Sequence, residues 1–279
     1  IFLSNSLRLA QRRLVLGLLA VFASGLAKAE EVPWRWANPR PHGDSIRAIA
    51  KGDDFSIQVG ENGSIHTSQN LVQWFPRESD TDVTLRAVTF FKDLAIVAGD
   101  DGVLLHSGDE ESFASAELNT ATSKAFRALA ASSRTIVAAG DDGTIYTSSD
   151  GRSWSKRSFR YNNDIHAVAW TGRYFVVVGE NGLVATSNNG SSWNKRQSRT
   201  TRDLNALAYV NKRLWAVGER GTVLLSYNDG FSWLAARSGT DKNLNTVTGT
   251  ANEVIVAGEN VVRKGVLGFF MYWVDVLEK

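Results

Sequence analysis

A short turn motif recurs through this chain at an almost constant interval, and it constrains the fold more than any other feature. The motif Gly-Asp/Glu-x-Gly appears five times, and a sixth copy has Val261 in place of the second Gly. The successive intervals are 39, 41, 39, 39 and 40 residues. Such a period indicates structural units that stack on one another. The six copies begin at Gly60, Gly99, Gly140, Gly179, Gly218 and Gly258.

A second marker follows the same period. An aromatic residue lies 14 or 15 positions after the first Gly of each of the five complete motifs. Two independent landmarks in one phase across about 200 residues indicate a true repeat. The aromatic positions are Trp74, Phe113, Trp154, Trp193 and Trp233.

Each unit contains four runs that are typical of β-strands. In the fourth unit the runs are 165–170, 174–178, 183–186 and a segment that starts at Trp193, and Gly or Asn turns separate them. No segment of 30–279 has the length and capping residues of a helix of about ten residues. The sequence therefore predicts an all-β protein, a β-propeller with four-stranded blades of about 40 residues.

The number of blades is predicted to be six. The five full blades cover 46–79, 85–119, 126–160, 165–199 and 204–238, and the sixth starts at Leu244 but reaches no Trp turn. The N-terminal run Val32–Asn38 resembles an outer strand and could complete the sixth blade. The composite blade would close the ring and protect the sheet edges. The alternative is a truncated seven-blade propeller.

The first 29 residues predict an export signal. Basic residues precede an apolar run at 14–23, and Ala27-Lys28-Ala29 has the pattern of a cleavage site. Ten apolar residues are too few for a bilayer, which requires about 20, so a retained anchor is the less favoured alternative. We predict a secretory signal peptide at 1–29, a propeller domain at 30–265 and an apolar tail at 266–279. The tail is either a strand on the last blade or a patch that contacts a membrane or a partner.

Composition and charge exclude several classes of function. The 279 residues include no Cys, which removes disulfides and thiol catalysis. The formal charge falls from +2 to −2 without residues 1–29, so no nucleic-acid partner is expected. The His residues lie in different units, and the recurrent acids are turn residues, so we predict neither a metal site nor a cofactor nor an enzyme.

One position in the first strand of every unit carries a polar residue between an apolar and a small or polar neighbour. First strands line the channel of a propeller, so these side chains are predicted to cluster at one mouth. Three arginines on consecutive blades suit the capture of carboxylates from a peptide. The alternative is that they pair with the turn acids of neighbouring blades and hold the ring together. The six predicted partner-binding residues are Arg47, Arg86, Arg127, His166, Asn205 and Asn245.

The turn before the aromatic marker resembles the Asp-box, or BNR, repeat. The stretch 226–233 (SYNDGFSW) fits the pattern S-x-[DN]-x-G-x-[ST]-W, and 186–193 and 147–154 are close relatives. With the motif aligned on Thr186 and Thr147, its third position is seldom acidic, which favours a structural role for the turn. That position holds Gln69, Gly108, Ser149, Asn188 and Asn228.

The order of motifs resembles the photosystem II stability/assembly factor family over residues 46–260. Val137–Gly140 and Val176–Gly179 fit the second-strand pattern V-x-x-G of that family. The resemblance implies an exported, non-enzymatic and monomeric propeller in the periplasm or thylakoid lumen, either free or associated with the membrane. Its expected partner is a membrane protein complex or its subunits, photosystem II in a photosynthetic host, which it helps to assemble or stabilise. The alternative is an Asp-box glycoside hydrolase or a carbohydrate-binding propeller.

Overall fold

The computed structural model describes residues 45–250, 252–266 and 272–275. The strands of this part form six successive sheets, and the four main strands of each sheet form an antiparallel meander in chain order. The prediction of an all-β, six-bladed propeller with four-stranded blades is confirmed. Across the described ranges, no helix combines the length and hydropathy needed to cross a membrane.

The strands follow the repeat closely. Blades one to three contain β1 Ile46–Lys51, β2 Ser56–Gly60, β3 Ile65–Ser68, β4 Phe75–Arg77, β5 Leu85–Phe91, β6 Leu94–Gly99, β7 Leu104–Ser107, β8 Ala114–Ser115, β9 Glu117–Leu118, β10 Phe126–Ala131, β11 Ile136–Gly140, β12 Ile145–Ser148 and β13 Ser153–Arg157. Blades four to six contain β14 Ile165–Trp170, β15 Phe175–Gly179, β16 Val184–Ser187, β17 Asn194–Lys195, β18 Leu204–Val210, β19 Arg213–Gly218, β20 Val223–Ser226, β21 Leu234–Ala236, β22 Leu244–Gly249, β23 Glu253–Gly258, β24 Val261–Val266 and β25 Tyr272–Asp275. The short β9 pairs in parallel with β13 and adds a fifth strand to blade three.

The core consists of apolar layers between consecutive blades. Between blades one and two, Ile57 and Val59 pack with Leu85 and Val97 of the next blade. Alternate side chains of a strand point to opposite faces, so the second strand of a blade needs apolar residues on both faces. Four equivalent layers separate the other consecutive blades. This requirement explains the continuous apolar runs that precede the Gly-Asp/Glu-x turns of blades two to six, whereas the run of blade one contains the buried Gln58.

The Gly-Asp/Glu-x-Gly turn joins each second strand to the third and ties it to the first. In blade three the N–H of Asp141 donates to the carbonyl of Ala125, just before β10, at 3.1 Å. Asp142, at the variable position, has φ of +52°, a conformation that Asn and Asp adopt at low cost. Residues 141–143 form a single 3-10 turn, as do 100–102, 180–182 and 219–221. The turn motif is thus a structural clasp at the start of each first strand.

The Asp-box turn is more regular than its sequence alignment indicated. In blade four, Ser187 caps the turn, and Asn189 Oδ1 accepts the N–H groups of Ser191 and Ser192. The amide residue that accepts the turn N–H groups, Asn189, is therefore two positions after the Ser that ends the third strand. Alignment of the motif on Thr186 placed this position one residue too early, at Asn188. Every one of the five turns has Asn or Asp there. These residues are Asn70, Asp109, Asp150, Asn189 and Asn228.

These caps predict that stability depends on pH in the acid range. The N–H groups of Ser153 and Arg152 donate to Asp150 and hold its pKa below the usual aspartate value, although burial acts in the opposite direction. The stability linked to ionised Asp150 is complete above the unfolded-state pKa and is lost as the pH falls through the lowered folded-state pKa. Asp150→Asn keeps the acceptor oxygen, as Asn189 does naturally. Melting temperatures from about pH 6 to about pH 2 should therefore fall less in the variant. An equal fall in both proteins would contradict this assignment.

The sixth blade is completed by the C-terminal tail. Its fourth strand is Tyr272–Asp275, which pairs with β24 from Arg263↔Asp275 to Val266↔Tyr272. The sequence predicted Val32–Asn38 for this place, and those residues lie outside the described ranges. The place is instead filled by the segment that was set apart as a tail, and its Trp273 packs near Trp215 of blade five.

The first blade has an open face. Ile46 and Ile49 of β1 are 52% and 59% exposed, whereas Leu85, at the position of Ile46 in blade two, is fully buried. The same position is equally buried in blades three to six, where it packs against the preceding blade. Among the described residues, the inner strands of blades one and six do not pack together as extensively as the inner strands of the other neighbours.

Candidate functional site

The polar ring predicted from the first strands occupies a repeated irregularity of the backbone. The register shifts at the ring position of every first strand, between Ile46 and Ala48 in blade one and between Leu85 and Ala87 in blade two. The other four blades repeat the shift. A bulge re-aims the side chain of the extra residue. The bulge therefore lets a polar residue leave the apolar layers on both sides of it.

Five of the six predicted residues line one cavity of about 290 Å³. They are Arg47, Arg86, Arg127, His166 and Asn205. The sixth, Asn245, does not line this cavity, but its Oδ1 lies 3.4 Å from Asn205 Nδ2. The sequence thus predicted the composition of the cavity.

The three arginines are paired with acids of the recurrent turns. Arg47 pairs with Glu61, and Arg86 binds Asp100 through both Nε and Nη2, the second at 2.8 Å. In each case the acid belongs to the same blade as the arginine. The sequence predicted pairs between neighbouring blades as the structural alternative. The pairs with the turn acids lie within a blade, because a first strand begins beside the turn that ends its own second strand.

The third arginine makes both kinds of contact. Arg127 pairs with Asp141 of its own blade, and its Nη2 lies 3.5 Å from Asp164 Oδ2 at the start of blade four. Asp164 also accepts the N–H of Asp142 at 2.9 Å. This arginine therefore links two blades, and it is the part of the ring that most resembles a structural clamp.

These pairs neutralise the basic arc that the arginines alone would form, and pairing with the turn acids was the alternative that the sequence left open. Three arginines of the cavity meet four carboxylates, which are Glu61, Asp100, Asp141 and Asp164. The hydrogen bonds that Arg86 donates to the Asp100 carboxylate raise the pKa of Arg86 above its ordinary value. A guanidinium has five N–H donors, and Arg86 uses Nε and Nη2 on Asp100. The cavity thus offers preoriented N–H donors without a basic field.

Two other residues of the cavity, His166 and Asn205, bind to the backbone of the following blade. His166 Nδ1 lies 3.1 Å from the carbonyl of Leu204, and Asn205 Nδ2 donates to the carbonyl of Leu244 at 3.0 Å. Both carbonyls belong to the residue just before the next bulge. Here the polar ring joins consecutive first strands.

Two arginines that follow the Trp markers have a structural role at the outer edge of their blades. Arg157 Nε donates to Thr147 Oγ1 at 2.7 Å, and Arg196 Nε donates to Thr186 Oγ1 at 3.0 Å. Both bonds join the fourth strand of a blade to the third. The spacing of three residues after the Trp marker could have revealed this contact.

A larger groove of about 660 Å³ lies beside the outer strand of blade five. Arg199 and Arg202 contribute to its wall. Arg202 Nη1 donates to the carbonyl of Arg220 at 3.3 Å, so this side chain closes the loop between blades four and five. Among the described residues, no three His, Asp or Glu side chains come together as ligands for a metal ion.

Comparisons with known proteins give similarity of structure. No protein-family model matches the sequence, and no curated protein matches it. The structure of YCF48 bound to D1 peptide superposes with a TM-score of 0.67 and 19% identity, over 83% of this chain and 80% of that one. An ancestral GH74 enzyme gives a TM-score of 0.70 and 15% identity, over 87% of this chain and 40% of that one. The computationally designed Ika8 protein gives a TM-score of 0.66 and 16% identity, over 82% of this chain and 73% of that one.

This likeness establishes the propeller fold alone. Propellers with unrelated functions share the architecture, so the site has to be argued from its own residues. The partner-binding role of the ring therefore stays a prediction.

Proposed function

We propose that this protein is a non-enzymatic, exported propeller that binds a segment of a membrane protein at the mouth of its channel. Its task would be to help assemble or stabilise the complex to which that protein belongs. The observation that carries the proposal is the cavity in which Arg47, Arg86 and Arg127 meet His166 and Asn205. These side chains are held in place by partners and keep further N–H donors, so a bound segment would meet a preorganised site.

The chemistry of the cavity favours a peptide with carbonyl or carboxylate oxygens. A basic field would attract any polyanion, but paired arginines select by hydrogen-bond geometry rather than by charge. The structure of YCF48 bound to D1 peptide, which has the same fold, supports a protein segment as the ligand class. D1 peptide is therefore the first ligand to test.

A catalytic role receives less support from the same geometry. A glycoside hydrolase requires two carboxyl groups that can act on a bond between them, about 5–9.5 Å apart. Asp100 and Asp141 are held by arginines, and Glu180 Oε2 accepts the N–H of Asp164 at 3.2 Å. We infer that these acids stabilise the turns, so the carbohydrate alternative ranks second.

The proposal can be tested by titrating labelled D1 peptide into the full chain and into Arg47→Ala/Arg86→Ala/Arg127→Ala. Loss of charge-assisted hydrogen bonds should weaken binding at least about tenfold. Arg237→Ala is the matched control, because Arg237 is an exposed arginine outside the ring. Thermal melts of all three proteins separate a binding defect from a folding defect.

A parallel capture from solubilised membranes of the host extends the test to other clients. Specific membrane-protein capture by the wild type and Arg237→Ala, but not by the triple variant, supports the proposal. Absence of both peptide binding and membrane-protein capture refutes it, and binding on a glycan array would then favour the carbohydrate alternative. If clients are retained and the melt is lowered, the arginines are structural and the site lies elsewhere.

A further inference from the structure

A cluster of exposed aromatic and basic side chains lies at the end of the blades opposite the ring. In an antiparallel meander, the turn between strands one and two and the turn between strands three and four lie at the same end, called the hairpin end here. Tyr227, in the turn between strands three and four of blade five, is 57% exposed, and Tyr209, near the end of β18, is 37% exposed. Phe231 and Leu234 of the same blade are 40% and 56% exposed. Isolated exposed apolar residues are ordinary, but Tyr227 and Phe231 share one turn, and neighbouring exposed rings mark an interaction surface.

Guanidinium groups cover the rings of this cluster. Arg196 of blade four lies 4.0 Å from the ring centroid of Phe231, and Arg213 lies 5.0 Å from that of Tyr227. Tyr174 of blade four meets Phe231 edge to face, with centroids 5.0 Å apart, and Arg173 lies 5.3 Å from the Tyr174 ring. The contacts join blades four and five into one patch. We call it the hairpin patch, and it consists of Arg173, Tyr174, Arg196, Arg213, Tyr227 and Phe231.

The charges of the hairpin end are divided between its two sides. The turns of blades four and five carry Arg173 and Lys212, with Arg213 at the start of β19, against the single acid Asp229. Blades one and two carry most of the acids of this end, with Lys92 as a turn base. These acids are Asp53, Asp54, Asp93, Asp109, Glu110 and Glu111. The patch is thus the basic side of a polarised surface.

We propose that the hairpin patch binds the headgroup surface of an anionic lipid bilayer. Tyr and Phe place an apolar ring at the boundary of the acyl region, and arginines beside them bind the phosphates of the lipid. Basic groups near an anionic surface each contribute to binding and are screened by salt. The acids of blades one and two would be repelled, so the protein would approach the membrane with blades four and five first.

The geometry favours a lipid surface over a sugar or a peptide. A sugar stacks on the open face of an aromatic ring, but guanidinium groups already lie over Phe231, Tyr227 and Tyr174. A peptide binds best in a groove, whereas most residues of the hairpin patch belong to turns at the tips of the blades. Tips of neighbouring blades can meet a flat surface together.

The test is co-sedimentation of the full chain with vesicles made of equal parts of phosphatidylcholine and phosphatidylglycerol. Vesicles of phosphatidylcholine alone are the lipid control. Arg173→Gln/Arg213→Gln should lower the partition coefficient about fivefold for each charge removed. Tyr227→Ser should also lower the partition coefficient, because it removes an exposed ring from the patch. The substitution leaves the core intact, since more than half of this side chain is exposed. Arg237→Gln/Lys242→Gln, on turns at the opposite end, is the matched control, and every protein carries the same N-terminal segment and tail.

The proposal is supported if the wild type and the control variant bind the anionic vesicles and both patch variants bind them less. Equal binding by wild type and patch variants overturns it, as does equal binding to both kinds of vesicle. If the wild type ignores vesicles but binds polyglutamate through the same arginines, the patch is an acidic-protein site and the lipid proposal is wrong. Loss of vesicle binding would leave D1 peptide binding at the ring unchanged, so the two proposals fail independently.

Discussion

Trp154→Ala is expected to destabilise the protein by about 3–5 kcal/mol, the range for removing a large aromatic side chain from a core. Trp154 is 1% exposed and packs in the layer between blades two and three, with Phe91 and Ile96 on one side and Phe126 on the other. Its indole Nε1 also donates to the carbonyl of Gly151 at 3.2 Å, which ties the ring to its own Asp-box turn. The substitution would leave a cavity and weaken the joint between two blades.

Urea denaturation monitored by circular dichroism measures this effect, and Trp193→Ala is the matched control. Trp193 has the same position in blade four and the same bond, from Nε1 to the carbonyl of Gly190 at 2.9 Å, but it is only half buried. The control should therefore lose less stability. Equal losses at the two positions would show that the turn bond, and not burial, determines the contribution of this residue.

Gly143→Ala is expected to cost at least about 2 kcal/mol, because it combines backbone strain with a collision. Gly143 has φ of +66°, and a Cβ built there would lie 2.0 Å from the carbonyl oxygen of Tyr161. The obstacle is backbone in the loop that leads to blade four, so it cannot move aside as a flexible side chain could. The substitution would push the clasp of blade three away from that loop.

Gly172→Ala separates the two causes. Gly172 has φ of +91°, yet a Cβ there would meet no atom within 4 Å. This control carries strain without a collision, so its loss in a denaturation experiment should be the smaller one. If the two variants lost equal stability, the close approach to Tyr161 would not matter.

Much of the fold could be predicted because it repeats. Glycine, acid and tryptophan markers fix the turns of each blade, and apolar runs between them fix the central strands. The last blade could not be predicted in the same way. Tyr272–Asp275 complete its sheet without a Trp turn, because strand pairing requires backbone hydrogen bonds and tolerates many sequences. The same permissiveness allows a tail without the repeat pattern to take the place expected for Val32–Asn38.

The sequence predicted which residues would line the candidate site, but it left open whether the arginines would be paired with acids. The repeat places Arg47, Arg86 and Arg127 at equivalent positions, and equivalent positions of a propeller converge on its axis. Their neutralisation depends on which acids the bulges and turns bring within reach. The same acids recur in the sequence, yet nothing in their spacing distinguishes a partner in the same blade from one in the next.

The sequence by itself determined the repeat, its strands and the composition of the polar ring, because these follow from local patterns with a fixed period. Only the tertiary structure decided which arginine meets which acid, where the sixth blade finds its last strand, and that blades four and five share the hairpin patch. Each of these depends on distances between residues far apart in the chain. Such distances are set by the packing of one blade on the next, and no single repeat contains that information.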